Sequence, residues 1–416
     1  MSDSARDHLG RPRVAVTGIG VKAPAGNDIK SFWSTVRAGK SMARTIEQFD
    51  PSELPVRFGC EVRDFDPVEY FGPKEVRRQD RVTHFGFAAA TDAIKDAGDL
   101  GADPSRCAVI AATGVGGLTT MQENVTAFLQ RGPSRVSPFF VPMMMPNATA
   151  GAISIHHGFT GPAFCVSTAC AAGANAIGEG ARMIRDSSAD VVVAGGTEAF
   201  TSVVVAAFAR MGALSARNDD PELASRPFDA DRDGFVMAEG AGFMILEPLE
   251  RARARGAKVY GEVSGYGRNA DAYHITAPSP GGVGAAACMN QALNDAGLNP
   301  GDVGHVNAHG TSTPMNDSAE AAAIRTVFGD DGPPVTGSKG VLGHMVGAAG
   351  AVEAVIALIS MTDGIVPPTA NTEHLGDDID LDLVTGAERE IATLPVISNS
   401  FGFGGHNASL VLTPTA

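Results

Sequence analysis

The sequence predicts an α/β protein built as two similar halves, residues 1–255 and 256–416, and three observations carry that prediction. Short apolar, β-branched runs alternate with helical stretches, the pattern of buried strands in a layered α/β architecture. A series of helix, glycine stop, loop and strand occurs twice. Ala93-Ile94-Lys95-Asp96-Ala97-Gly98 leads to Cys107–Gly114, and Ala292-Leu293-Asn294-Asp295-Ala296-Gly297 leads to His305–Gly310. Upstream, Val14–Gly20 and Gly261–Gly267 are both short β-type runs ending Gly-x-Gly, a looser echo.

Along the chain, strands are predicted at 14–19, 107–112, 189–195, 303–308 and 394–398, where apolar and β-branched residues cluster. Segment 203–245 mixes apolar and charged residues and reads as a loop region on the first half. Glu250–Gly256 alternates Arg with Ala and reads as a surface helix end where the halves meet, near 250–260.

Composition narrows the functional class. With 416 residues, 44% of them hydrophobic, the chain can bury an ample core. Fifty glycines with only 6% aromatics imply tight turns and close backbone packing, because the glycines sit beside apolar runs. The first twelve residues are polar, and no stretch reaches about 18 consecutive apolar residues, so a soluble, cytoplasmic protein is expected. Five cysteines without CxxC spacing argue against a disulfide framework or a zinc ribbon, and most should be reduced and buried. A net charge of −15 disfavours nucleic acid or an anionic membrane as partner. An acidic partner would need a local basic patch, for which Lys74, Arg77 and Arg78, then Arg131 and Arg135, are the candidates.

Chemistry concentrates in four motifs. Val166-Ser167-Thr168-Ala169-Cys170-Ala171-Ala172-Gly173 closes a β-branched run and opens a helix. A thiol at a helix N-terminus meets unpaired N–H groups and the positive end of the dipole, which favour thiolate, so Cys170 is the expected nucleophile. Three later glycine-bearing segments each present a histidine. They are Asn307–Thr313 with His309, Lys339–Gly350 with His344, and Asn399–Asn407 with His406. Histidines on separate loops can converge on a thiol in space, and such a combination is an acyl-transfer centre.

In order and spacing, VSTACAAG, NAHGTSTPMND, SKGVLGHMVGAAGAVEA and NSFGFGGHN resemble the condensing enzymes of fatty-acid synthesis, and among them the β-ketoacyl-acyl-carrier-protein synthase II group, from about residue 13 to 413. The resemblance implies a thiolase-like fold, two duplicated α/β halves in a five-layered α-β-α-β-α core. It also implies a dimer, either a homodimer or a heterodimer with a chain-length partner. Carried over by motif, Cys170 receives an acyl chain from the phosphopantetheine arm of acyl carrier protein, and no cofactor is required. His309 and His344 bind the malonyl thioester carbonyl and promote decarboxylation, while His406 has no such role. The N–H groups of Cys170 and Phe403 match the oxyanion hole, Phe403 the gating phenylalanine, and Lys339 the lysine that supports the histidine loop through Glu353. Val115, Phe208, Thr311, Thr313 and Phe401 are implied at the substrate, and Lys74, Arg77, Arg78 and Arg135 in carrier docking. Asn307, Glu353, Ser398 and Asn399 match a structural site for a monovalent or divalent cation, whose oxygen donors suit a hard ion.

Three positions depart from the group. KSMTGH is replaced by Lys339-Gly-Val-Leu-Gly-His344, GGTN by Gly404-Gly405-His406-Asn407, and a docking arginine by Gly212, with Arg210 two positions earlier. Asp229–Glu239 resembles a calcium loop at its first, third, fifth and sixth positions, yet its twelfth position is Gly240, so it is expected to be structural. Neither Gly114–Gly117 nor Gly402–Gly405 completes a dinucleotide fingerprint. Two pathways stay open for a condensing enzyme, fatty-acid elongation and type II polyketide or polyene synthesis. The other classes are a non-catalytic dimerisation partner, disfavoured by the presence of Cys170, and a non-decarboxylating thiolase, disfavoured by the lack of a second cysteine in the last motif.

Overall fold

The apolar runs form strands in the computed structural model, which describes residues 5–415. β1 (Val14–Lys22), β2 (Cys107–Ala112), β3 (Ala163–Phe164), β4 (Val191–Glu198) and β5 (Gly240–Pro248) lie in the order β3-β2-β4-β5-β1. β6 (Gly261–Ala270), β7 (His305–Asn307), β8 (Val335–Thr336), β9 (Val396–Gly402) and β10 (His406–Thr413) lie in the order β8-β7-β9-β10-β6, the same permutation. Directions repeat as well. β2 runs parallel to β3 and β4, and β5 antiparallel to β4 and β1. β7 runs parallel to β8 and β9, and β10 antiparallel to β9 and β6. The two sets meet where β1 pairs with β6, Ala15 opposite Glu262 and Val16 opposite Gly261.

Helices fill both faces of each set, giving five layers. α1 (Arg81–Ala97) and α2 (Ala148–His157) cover the outer face of the first set, and α4 (Val283–Ala296) with α5 (Pro314–Phe328) covers that of the second. Between the sets lie α3 (Ala172–Arg185) and α6 (Ala349–Asp363), in contact with each other and with strands of both. The segment Val346–Asp363 is apolar and long enough to cross a membrane, but 83% of it is buried in the protein, the property of a core helix. α3 and α6 approach closely because their contact surface is small: a Cβ on Gly173 would stand 2.7 Å from Ala351 N.

The structure corrects several local expectations. Segment 203–245 is loop over 211–239, as expected, but its ends are regular, holding most of the helix Ser202–Arg210 and the start of β5. β5 escapes a hydropathy reading because it carries glycines and the fully buried Glu247. That carboxylate in turn explains the arginines after it. Arg251 and Arg255 reach Glu247 at 2.5 and 2.6 Å, so Glu250–Gly256 is tied to the sheet as well as lying at the surface. The β-type run 261–267 continues to 270, and 406–413 forms a further strand paired antiparallel to it from His406 opposite Ala270 to Thr413 opposite Glu262. The cysteines are all free. Cys60, Cys107 and Cys288 are buried, and Cys165 and Cys170 only partly so. The Asp229 carboxylate accepts backbone N–H bonds from Asp231, Glu373 and His374, so its acidic spacing is used inside a turn.

His157 on α2 stacks between Phe159 and Phe87, at centroid distances of 5.6 and 5.9 Å. Burial, and secondarily the neighbouring His156, lowers its imidazole to about 4. The folded state therefore prefers neutral His157, and the stability this contributes is complete above about pH 6.5 and is lost as pH falls through about 4. Thermal midpoints should fall across that window, and His157→Phe should flatten the acid limb by about 1–2 kcal/mol once solvent screening of this part-exposed ring is allowed for, measured by denaturant melts at each pH.

Candidate active site

Cys170 lies in the short turn Ala169–Ala171 that runs into α3. Ala169 is held at φ +50°, a strained conformation for a residue with a side chain, which aims the next residue off the helix end. The turn is braced from behind, where Asn175 Nδ2 donates to Thr168 Oγ1 at 2.7 Å and Tyr266 OH donates to Asn175 Oδ1 at 2.6 Å. The Gly402–Gly405 loop lies directly over it. A Cβ on Gly402 would stand 3.0 Å from Cys170 N, and the Phe403 N–H faces the sulfur.

The two histidines arrive from the second set of strands and the head of α6. His344 Nε2 is 3.0 Å from Cys170 Sγ, and the rings of His344 and His309 meet edge to face at 5.4 Å. Phe235 packs on His344 at 5.2 Å and Phe401 on His309 at 6.1 Å, so water has little access to either ring. His309 follows β7 and is held by its backbone, because its N–H and that of Gly310 donate to the Glu320 carboxylate at 2.8 Å each. Lys339 Nζ lies 3.2 Å from His309 Nδ1, 2.5 Å from His309 O and 2.5 Å from Glu353 Oε1. An ammonium can only donate, so Nδ1 is the accepting nitrogen and the ring hydrogen is assigned to Nε2, toward the thiol.

Burial sets the charge states. It holds both histidines well below the ordinary imidazole value, and the Lys339 charge adds to that for each, so both are neutral at pH 7. Burial also pushes the Cys170 thiol up to about 11, against the pull of Lys339 and of the Phe403 N–H. That corrects the sequence expectation of a thiolate favoured by the helix terminus. Loss of solvation in an apolar cavity outweighs a dipole worth about 1 kcal/mol. Glu353 is raised by burial too, and Lys339 opposes the rise.

A cavity of about 470 Å³ opens over these groups. Val115, Phe208, Thr311, Thr313, Phe401 and Phe403 line it, together with Cys170, His309 and His344. Lys339 is 1% exposed and stands behind His309, and His406 does not line the cavity. Lys74, Arg77, Arg78 and Arg135 are exposed and lie away from the lining. Arg78 is 4.8 Å from the centroid of Phe139, which draws the helix Pro73–Val76 toward the segment that carries Arg135. Asn307, Ser398, Asn399 and Glu353 are buried, with Asn307 Nδ2 donating to Ser398 Oγ at 3.1 Å.

Three acids at the site escaped the sequence reading. Asp317 and Glu320 lie one turn apart on α5 and accept from the loop that carries His309, with Asp317 taking the N–H of Ser312 at 3.1 Å. Their i, i+3 spacing just after the histidine motif was the available signal. Glu198, at the end of β4, gave none, because a lone acid in an apolar strand is legible only once its donors are in place.

A thiol and two neutral imidazoles, brought together by the paired central helices at the base of an apolar cavity, are equipment for acyl condensation. The chain belongs to the beta-ketoacyl synthase family, matching the profile of the N-terminal domain at residues 11–252 and of the C-terminal domain at 260–373. It is 46% identical over 410 residues to 3-oxoacyl-(acyl-carrier-protein) synthase 2 of Synechocystis, covering 97% of this chain and 98% of that one. The enzyme of the same name from Vibrio harveyi is 44% identical over 414 residues, covering 98% and 100%. Among solved structures, the ishigamide ketosynthase/chain length factor superposes with a TM-score of 0.91 at 35% identity, covering 98% of this chain and 100% of that one.

Two expectations follow. Alkylation of Cys170 by iodoacetamide should accelerate by about tenfold per pH unit between about pH 7 and pH 10 with no plateau, as a thiol raised to about 11 requires. Lys339→Met should destabilise by about 3–5 kcal/mol, because it strands the buried Glu353 charge. The double change with Glu353→Leu should recover most of that in denaturant melts, while activity stays low for want of an oriented His309.

Proposed function

We propose that the protein catalyses the decarboxylative Claisen condensation of an acyl chain, held as a thioester on Cys170, with malonyl-acyl carrier protein. The products are 3-oxoacyl-acyl carrier protein and CO2, and the setting is fatty-acid elongation. The observation that carries this reading is Cys170 Sγ at 3.0 Å from His344 Nε2, with neutral His309 beside it in one apolar cavity.

In the first half-reaction the Cys170 sulfur attacks the acyl thioester. The departing phosphopantetheine thiolate takes up the thiol's proton by way of solvent, and the N–H groups of Cys170 and Phe403 receive the tetrahedral oxyanion. Malonyl thioester then enters, and its carbonyl oxygen accepts from the Nε2–H groups of His309 and His344. As the C–C bond to the carboxylate breaks, CO2 leaves and the electron pair becomes an enolate whose oxygen those donors hold. They act where charge develops, so they lower the barrier and do not merely tighten binding. The enolate carbon attacks the acyl-Cys170 carbonyl, the C–S bond breaks, and the released sulfur takes one proton from solvent. Neutral imidazoles suit this task, since both must donate without carrying charge of their own. Val115, Phe208, Thr311, Thr313 and Phe401 line the acyl and thioester path, and Phe403 gates it.

The chain divides into halves at 255/256 in this reading, supported by the repeated strand permutation on either side and by profile matches ending at 252 and resuming at 260. The carrier docks through Lys74, Arg77, Arg78 and Arg135, and no dissociable cofactor is called for. Two copies pair, supported by the exposed edge strand β3 and by apolar side chains in the open such as Leu129 and Ile155, 75% and 84% exposed. Asn307, Glu353, Ser398 and Asn399 hold a monovalent or divalent cation, supported by two buried acceptors, Asn307 Oδ1 and Glu353 Oε2, that lack a hydrogen-bond partner among the described residues. Such an ion would offset the Glu353 charge. The Asn399 side-chain oxygen is already taken by Ser409 Oγ. A cytoplasmic location accords with five free cysteines.

A second reading, a ketosynthase subunit of a polyketide or polyene pathway paired with a chain-length partner, is favoured by the likeness to the ishigamide pair. Elongation is preferred because the relatives named for it share 46% and 44% identity, against 35%. Purified protein should form an acyl-Cys170 adduct with acyl carrier proteins of graded chain length and release CO2 from malonyl carrier protein, both read by mass spectrometry. Cys170→Ala should form no adduct, and an adduct on that variant sinks the assignment. His309→Ala and His344→Ala should each cut decarboxylation by about 10²–10⁴-fold while adduct formation persists.

A further inference from the structure

The reaction leaves a buried acid beside the cavity without a task. Glu198 closes β4 and is 3% exposed, and the donors it faces are uncharged. Oε1 accepts from Thr113 Oγ1 at 3.1 Å, and Oε2 accepts from Gly114 N–H at 2.7 Å and from Gly347 N–H at 3.0 Å. These donors sit on two loops far apart in the chain. Gly114 precedes Val115, on one wall of the cavity, and Gly347 follows Val346, on another wall and two residues beyond His344.

The loops touch at the carboxylate. A Cβ on Gly114 would stand 2.7 Å from Glu198 Oε2 and 3.0 Å from Val346 Cγ1, and a Cβ on Gly347 would stand 2.8 Å from the same oxygen. Val346 is held at φ +41°, which a β-branched residue abandons unless its surroundings fix it. Thr113 Oγ1 also accepts from Gly116 N–H at 3.2 Å, so the hold extends across Val115. An amide could keep its oxygen on the two N–H groups only by turning its NH2 group to Thr113 Oγ1, which already accepts from Gly116 N–H. Burial holds the acid up at about 7, and the loop N–H groups pull it down, so closed loops and ionised Glu198 support each other.

We propose that Glu198 is a positioning and specificity-determining residue whose carboxylate clamps the 113–116 loop to the 346–348 turn, fixing the gap between Val115 and Val346 that sets which acyl chains enter and holding His344 against Cys170. This rests on the condensing reading. The test measures, for wild type, Glu198→Gln and Thr113→Val, the rates of Cys170 acylation by acyl carrier proteins bearing short, medium and long saturated chains, and separately the decarboxylation of malonyl carrier protein. Glu198→Gln should move the acylation profile toward longer chains and slow decarboxylation about tenfold, the scale of losing hydrogen bonds to a charged acceptor. Thr113→Val, which frees only the Val115 loop, should move the profile and leave decarboxylation as it was. Uniform slowing of Glu198→Gln with an unshifted profile, or wild-type behaviour in both variants, overturns the clamp. If Glu198→Gln does not fold, an unshifted profile in Thr113→Val overturns it alone. Wild type that neither acylates Cys170 nor decarboxylates malonyl carrier protein would instead defeat the condensing reading.

Discussion

α3 and α6 meet in the central layer through glycine and alanine, and much of the site follows from how near that lets them come. Gly173 on α3 packs directly on Ala351 of α6 and on the Gly347 carbonyl just before it, with no room for a side chain. The two helices begin just after the two reactive groups, Cys170 before α3 and His344 before α6. Packing their first turns together therefore places sulfur and imidazole within 3.0 Å although 174 positions separate them in the chain. Larger side chains would part the helices and with them the reacting atoms, because an interior packed at crystal density transmits a displacement of one methyl group.

Around that contact, the molecule buries polar groups densely and satisfies them with local donors. Lys339 is spent on His309 and Glu353, Glu320 on the backbone of 309 and 310, and Glu198 on three loop donors. Each buried charge costs desolvation energy that its partners offset, and what the arrangement yields is orientation more than stability. It also selects charge states. With burial as the leading cause, the thiol stays protonated and both imidazoles stay neutral, so the resting site carries its hydrogens where donors are needed and its charge where Lys339 meets Glu353.

The reading from residues alone reached the two-half architecture because repetition of a helix, glycine and strand series survives in side-chain pattern, as in Ala93–Gly98 and Ala292–Gly297. It missed β5 because Glu247 and the glycines disguise a strand buried on both faces, and it did not show that Arg251 and Arg255, at the surface, reach back to Glu247, because their acceptor lies on that strand. At the site, Cys170, His309 and His344 were legible from motif and spacing. The protonation of Cys170 was not, since a helix terminus can be read along the chain, whereas the apolar walls that oppose it come from Phe235, Phe401 and Phe403, far off in sequence.

The kind of chemistry, one thiol and two imidazoles on glycine-bearing loops of a duplicated α/β chain, was legible along the chain, because residue identity, local propensity and period are properties of neighbours. The distances, the charge states and the walls arise only on folding. Those depend on which side chains exclude water from Cys170 and on where Glu198, Glu320 and Lys339 find their partners. Such contacts join segments whose separation along the chain carries no trace of their meeting in space.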